Sequence, residues 1–198
     1  TFFRSTTQLS MSTSIIILFF QSLFAIGEAG GIFLLIPPGA MAQGMGEAMV
    51  ANTNTALMSY YNPASISFSD RNRISATHVN WLPNLADDLY YEFLGFRRHF
   101  PNLGTLGGHL IYLNLGEQVR MDEYAQYQGK FTSYMMATAF SYSTKLSSTS
   151  SFGMNAKISY QHLVEIGTGS EKGKGTSTDF GFDLGYMNNN IALGPTIG

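Results

Sequence analysis

Cysteine is absent from the 198 residues, which excludes a disulfide framework and any thiolate metal site. Charge is scarce as well. Lys and Arg number 11 and Asp and Glu 13, a net charge of −2 and a charged fraction of 12%, where a soluble domain carries about 25%. So even a balance excludes a nucleic-acid binder that works by neutralising phosphates. Long apolar runs are also missing. The longest, Ile15 to Ile26, is interrupted by Gln21 and Ser22 and falls short of the ~20 residues a spanning helix needs. What is plentiful is apolar or small: hydrophobic residues 44%, aromatics 14%, and 21 glycines. Disorder requires the opposite composition. The chain is therefore ordered, with too few charges to face water everywhere, and any membrane crossing has to use strands.

The N-terminal apolar run has the length of a signal-peptide core, with Arg4 before it and the small residues Ala25, Gly27 and Ala29 behind it. We expect residues 1–29 to be a signal peptide and upstream residues, cut near 27–29. The C-terminal run Ile191 to Gly198 stops within an apolar pattern, so the chain reads as cut at both ends.

From residue 71 onward, apolar and polar residues alternate in segments separated by turn residues. In 151–162 one face is Phe152, Met154, Ala156, Ile158, Tyr160 and His162, and the other is polar or small. In 179–186, Phe180, Phe182, Leu184 and Tyr186 alternate with Asp179, Gly181, Asp183 and Gly185. This period of two predicts strands with one apolar and one polar face. Further candidates are 72–80, 88–98, 105–115, 130–143 and 190–197, with turns at Pro83-Asn84, Pro101-Asn102, Gly129-Lys130 and 168–175. A soluble sandwich would hide the apolar face, whereas an outer-membrane barrel turns it to lipid. The length of the segments favours the barrel. So do aromatics near the ends of the apolar faces, among them Tyr134 and Tyr142, and charge gathered in connections such as Glu171, Lys172 and Lys174. The expected fold is all-β: an antiparallel transmembrane β-barrel, here about seven strands over 71–198.

Residues 30–70 differ in kind. Ile32 to Ile36 is a short strand-like run stopped by Pro37 and Pro38. A small-residue stretch with Gly39, Gly44 and Gly46 follows, and its glycines suit close backbone packing. Asn52, Thr53 or Asn54 is placed to cap a helical turn over 55–61, which Asn62-Pro63 ends. So compact a segment suits a hatch folded into a lumen.

Four stretches resemble the PorV/PorQ family of FadL-like outer-membrane proteins: Phe33 to Ala40, Gly44 to Ala48, Tyr61 to Ala64, and Asn80 to Tyr91. Gly39 and Met41 depart from the family pattern, which has an acidic and a basic residue there. The resemblance implies a fourteen-stranded barrel with an N-terminal hatch, located in the outer membrane. It also implies a role in type IX secretion: binding secreted cargo by its C-terminal signal domain and delivering it to the cell-surface attachment complex. The implied partners are cargo C-terminal domains, type IX translocon and attachment-complex proteins, and outer-membrane lipid, with no nucleic acid and no cofactor. The alternative is a FadL-like transporter of fatty acids or other hydrophobic small molecules.

Enzyme signatures were not found. His78, His99, His109 and His162 lack paired ligand spacing, so they read as strand-end or lumen histidines. No Gly-x-Ser-x-Gly motif is present. Asp87 and Asp88 are adjacent, so on a strand they would point to opposite faces. The hatch motif of Pro37, Pro38, Gly39, Gly44, Gly46, Asn62, Pro63 and Ala64 reads as structural or gating. Asn155, Lys157, Asp179 and Asp183 are lumen-facing candidates, with Lys157 expected to share a charge pair with the acids of its neighbouring strand.

Overall fold

A computed structural model describes residues 31–122, 124–164 and 175–189. The chain divides into two compact units, Thr1–Leu35 and Ile36–Gly198. In the first, Ile32–Leu35 forms a 3-10 turn and not the strand expected there. The signal peptide, the 168–174 connection with its charges and the 190–197 strand lie outside the described residues.

The second unit is one antiparallel sheet with its strands in sequence order: β1 (Arg73–Asn80), β2 (Leu89–Phe100), β3 (Gly104–Met121), β4 (Tyr127–Lys145), β5 (Ser150–Val164) and β6 (Gly175–Asn188). No described helix is long and apolar enough to cross a membrane. All six strands fall where alternation placed them. β3 and β4 run well past their expected ends, because they continue as a two-stranded ribbon. β2–β3 pairing ends at Leu89↔Leu115 and β4–β5 pairing starts at Tyr134↔His162, while β3 and β4 stay paired to Met121↔Tyr127. Asp87 and Asp88 lie in the turn before β2, not on it.

Connections at the two ends of the sheet differ. Residues 101–103 and 146–149 close one end in three and four residues; 81–88 and 122–126 lie at the other. Each turn has a local cause. Asn102 takes a φ of 68°, a conformation Asn tolerates, and the Ser147 hydroxyl accepts the N–H groups of Thr149 and Ser150.

The faces are sorted by chemistry. On one lie Ile74, Leu94, Phe96, Leu106, Leu110, Phe140, Met154, Ile158, Phe180, Phe182 and Leu184, all exposed. On the other lie Ser141, Ser143, Ser151, Asn155 and Ser159 on β4 and β5, and Tyr91, Phe93, Ile111 and Leu113 on β2 and β3, all buried. Phe152 and Ile158 are 38% and 48% exposed, and Phe182 and Leu184 are 80% and 72%. One face leaves its large apolar side chains uncovered, and over β4 and β5 the covered face is mainly polar, which is the reverse of a water-soluble sheet.

Aromatics bound the apolar face. Tyr90, Tyr112, Tyr134 and Tyr160 step across four strands with ring centroids 6.0, 5.8 and 6.1 Å apart. Eight residues farther along, Tyr142 and Phe152 mark the other limit on β4 and β5. That is roughly 26 Å of strand. Tilted by about 40°, it covers about 20 Å, near the ~25 Å apolar band of a membrane barrel.

Candidate functional site

The covered face carries the segment from Ile36 to Ser69. Within it α1 (Ala40–Gly44) and α2 (Met58–Tyr61) precede a 3-10 stretch over Pro63–Phe68. Ala42, Met49, Met58 and Ile66 form a small buried core. The helical turn is shorter than the 55–61 expected, and its N-cap is Leu57 with no side-chain cap. Asn52 instead closes a local turn by accepting the N–H of Asn54 at 2.8 Å, and Thr55 accepts that of Leu57 at 3.2 Å. These short side-chain bonds compete with the helix and delay its start.

Asn62-Pro63-Ala64 is where this hatch meets the sheet. The Asn62 carboxamide oxygen accepts the Ala64 N–H at 3.0 Å, and its Nδ2 reaches the Val50 and Tyr186 carbonyls at 3.2 and 3.4 Å. The Ala64 carbonyl accepts from three hydroxyls: Ser67 at 3.1 Å, Ser143 at 3.0 Å and Ser151 at 2.7 Å. Backbone approaches this closely because the sheet has no side chain beneath it. A Cβ on Gly153 would overlap the Pro63 carbonyl carbon, and one on Gly185 would overlap the Asn62 carboxamide oxygen. Glycine on the polar face of β5 and β6 therefore makes the seat.

The other hatch residues hold the segment together. Pro38 is fully buried and its carbonyl accepts the Tyr61 hydroxyl at 3.0 Å. Pro37 accepts from the Gln43 side chain at 3.3 Å. Gly39 opens α1 with a φ of 93°. Gly44 and Gly46 do not serve the close packing expected of them: nothing lies within 4 Å of where their Cβ atoms would be, and Gly46 turns the chain at a φ of 59°. Burial, reinforced by Glu47, pushes the Tyr61 hydroxyl up to about 12. Tyr60 is raised chiefly by burial, with smaller contributions from Tyr61 and Glu47.

Above the seat lies a polar cluster. Lys157 Nζ is 2.9 Å from Asp183 Oδ1. Asn155 Nδ2 donates to Asp183 Oδ2 at 2.9 Å and to the Ser59 carbonyl at 2.8 Å. Three of the four lumen-facing candidates thus converge. Asp179 does not join them: it lies opposite Ser159 and accepts from Ser177 at 2.9 Å. The register explains the choice, because Asn155 is directly opposite Asp183 while Lys157 is opposite Gly181, which leaves room for its side chain. His109, buried on β3, meets the Ser59 hydroxyl at 3.0 Å. His78 lies on the exposed face, 2.8 Å from Glu92, and His162 stacks on Tyr134. The described residues contain no group of His, Cys, Asp or Glu that could hold a metal ion.

Sequence reasoning missed Arg97, buried on β2 with Nη1 donating to the Thr53 carbonyl at 2.7 Å. An Arg on the inward phase of an otherwise apolar strand was the available signal. It also missed the ribbon, whose base is set by a break in register between Asn114 and Glu117, where Asp88 Oδ2 accepts the Glu117 N–H at 2.7 Å.

A strand meander with a bare apolar band, aromatic borders and a hatch on its polar face defines the outer-membrane β-barrel class, of which these six strands form part. No curated protein matches the chain. Residues 24–193 match the family model described as Type IX secretion system protein PorV. The chain belongs to the PorV family, and is an outer-membrane component of the type IX secretion system.

Proposed function

We propose that this protein binds secreted cargo through the cargo's C-terminal signal domain and delivers it to the cell-surface attachment complex, by recognition alone and without a cofactor. Membership of the PorV family over 24–193 carries this reading. Export by an N-terminal signal peptide belongs to the same proposal. The longer connections face the cell exterior, as in other membrane barrels, so the β3–β4 ribbon stands at the outer rim. The ribbon displays Val119, Met121, Tyr124 and Tyr127 to solvent. It is braced by Lys130 on Glu117 at 2.5 Å and by Arg120 over Phe131 at 5.5 Å. Exposed aromatic and Met side chains on a rigid support are what protein recognition uses. In this reading the hatch motif is a structural pin, and Asn155, Lys157, Asp179 and Asp183 line the lumen around it.

The test is retention of a cargo C-terminal domain by the purified full-length protein. Binding that weakens at least tenfold when Met121, Tyr124 and Tyr127 are changed together to Ala supports the role assigned to the ribbon. Absence of cargo binding, with a fatty acid retained instead, would replace this function with hydrophobic-compound transport.

A further inference from the structure

We propose that Arg98 and Asn72 form a binding site for the phosphate of a glycerophospholipid, on the lipid-facing side of the sheet at the border reached by its short turns. Arg98 has the same phase on β2 as Leu94 and Phe96, and like them it is exposed. Its register partner is Leu106, which in turn lies opposite Tyr142, so Arg98 stands level with the aromatic limit at that end. Residues 101–103 and 146–149 close the sheet just beyond it. From one aromatic border to the other, Glu92 and Arg98 are the charged side chains of this face among the described residues. Their surroundings differ. Glu92 is partnered by His78, whose Nδ1 is 2.8 Å away. Among the described residues no carboxylate pairs with Arg98, whose guanidinium instead lies 4.9 Å over the Phe100 ring. A cation on a lipid-facing surface is costly unless something there pairs with it, and a guanidinium fork matches phosphate oxygens in shape and charge.

A second donor stands beside the first. Asn72 precedes β1, one residue before the Arg73↔Arg97 rung, which brings it next to Arg98. Its carboxamide oxygen accepts the His99 N–H at 3.2 Å, and among the described residues its NH2 group has no partner, which leaves two N–H donors. Asn72, Ile74, Phe96 and Arg98 are among the residues that line a crevice of about 550 Å³. Ile74 and Phe96 are exposed, and they continue from the two donors toward the middle of the apolar band. One end of the crevice therefore suits an anionic oxygen group and the other an acyl chain. A free oxyanion would leave Ile74 and Phe96 bare, whereas a membrane lipid covers them and puts its phosphate at the height of Arg98. Closing the barrel adds no strand beside Arg98, because β2 is already flanked by β1 and β3. The inference rests on the lipid assignment of the bare face and not on the secretion role.

The test is native mass spectrometry of the full-length protein in detergent, titrated with dioleoylphosphatidylglycerol. The first lipid should bind at least ~tenfold more weakly to Arg98→Met than to the wild type, the loss expected for one charge-assisted contact. Arg98→Lys should recover part of that loss, because it keeps the charge without the fork. Asn72→Ala should lose less than Arg98→Met, and it gives the same reading if Arg98→Met does not fold. Dioleoylglycerol, which has the same chains and no phosphate, should bind the wild type and Arg98→Met alike. The proposal is overturned if the phospholipid binds all folded variants equally, or if dioleoylglycerol distinguishes them as the phospholipid does. It is equally overturned if oleate or inorganic phosphate is held in its place, which would make the occupant a fatty acid or a free oxyanion.

Discussion

The two faces of β5 and β6 are built from consecutive residues of the same strands, yet they follow opposite rules. Phe180, Phe182 and Leu184 are the large apolar side chains, and they are bare. Ser151, Asn155 and Ser159 are polar, and they are buried. In water this arrangement would be unstable on both counts. It is stable where lipid supplies the apolar surroundings and the hatch supplies hydrogen-bond partners, as the hydroxyls on the Ala64 carbonyl illustrate. The comparison teaches that hydrophobicity assigned the faces, but the solvent on each side decided which of them is called inside.

The largest effect should come from breaking the bare face. Phe182 lies midway between the aromatic limits, so Phe182→Arg should cost about 2–4 kcal/mol in the urea midpoint of the protein in lipid. Asp179→Asn, on the opposite phase, should change it little; equal losses would contradict the lipid assignment. Next is the covered face. Gly153→Val forces a side chain into the Pro63 backbone, at a cost of about 1–3 kcal/mol, and should expose residues 40–70 to protease while the sheet persists. Tyr134→Ala removes the ring shared by Tyr112, Tyr160 and His162 and should cost about 1 kcal/mol beyond its lost area, read by the same midpoint.

Two smaller effects sharpen the contrast. Lys157→Met breaks the half-buried pair with Asp183 and should shift the midpoint by no more than ~1 kcal/mol, since Asn155 still donates to that carboxylate. The smallest belongs to the loop outside both faces. The Asp122 carboxyl is held below its ordinary range by the Gln126 N–H first, then by the Tyr124 N–H and the Gln128 side chain. A depressed folded-state value means that the turn is supported above the ordinary carboxylate range and loosens as pH falls through the depressed value. Amide exchange at Tyr124 and Gln126 should therefore speed up on acidification in the wild type and be pH-insensitive, beyond its intrinsic dependence, in Asp122→Asn.

Strand existence was legible because a period of two is written in the order of residues: Phe152 to His162 could hardly be read otherwise. The ribbon was not, since 117–121 and 127–132 hold no buried residue to impose alternation. The run Ile32 to Leu35 misled because four apolar residues in a row suit a strand and a 3-10 turn alike. Gly44 and Gly46 misled because a glycine does not announce whether it gives room or conformational freedom.

By itself the sequence determined the sheet, its two chemically opposed faces and the residues that join the family. It did so because alternation and small-residue motifs are local properties. Only the tertiary structure decided that Asp183 and not Asp179 meets Lys157, that Gly153 and Gly185 form the seat under Asn62-Pro63, and that Arg97 is buried beside Arg73. Those facts depend on strand register and on one backbone lying against another, distances that no single stretch of sequence contains.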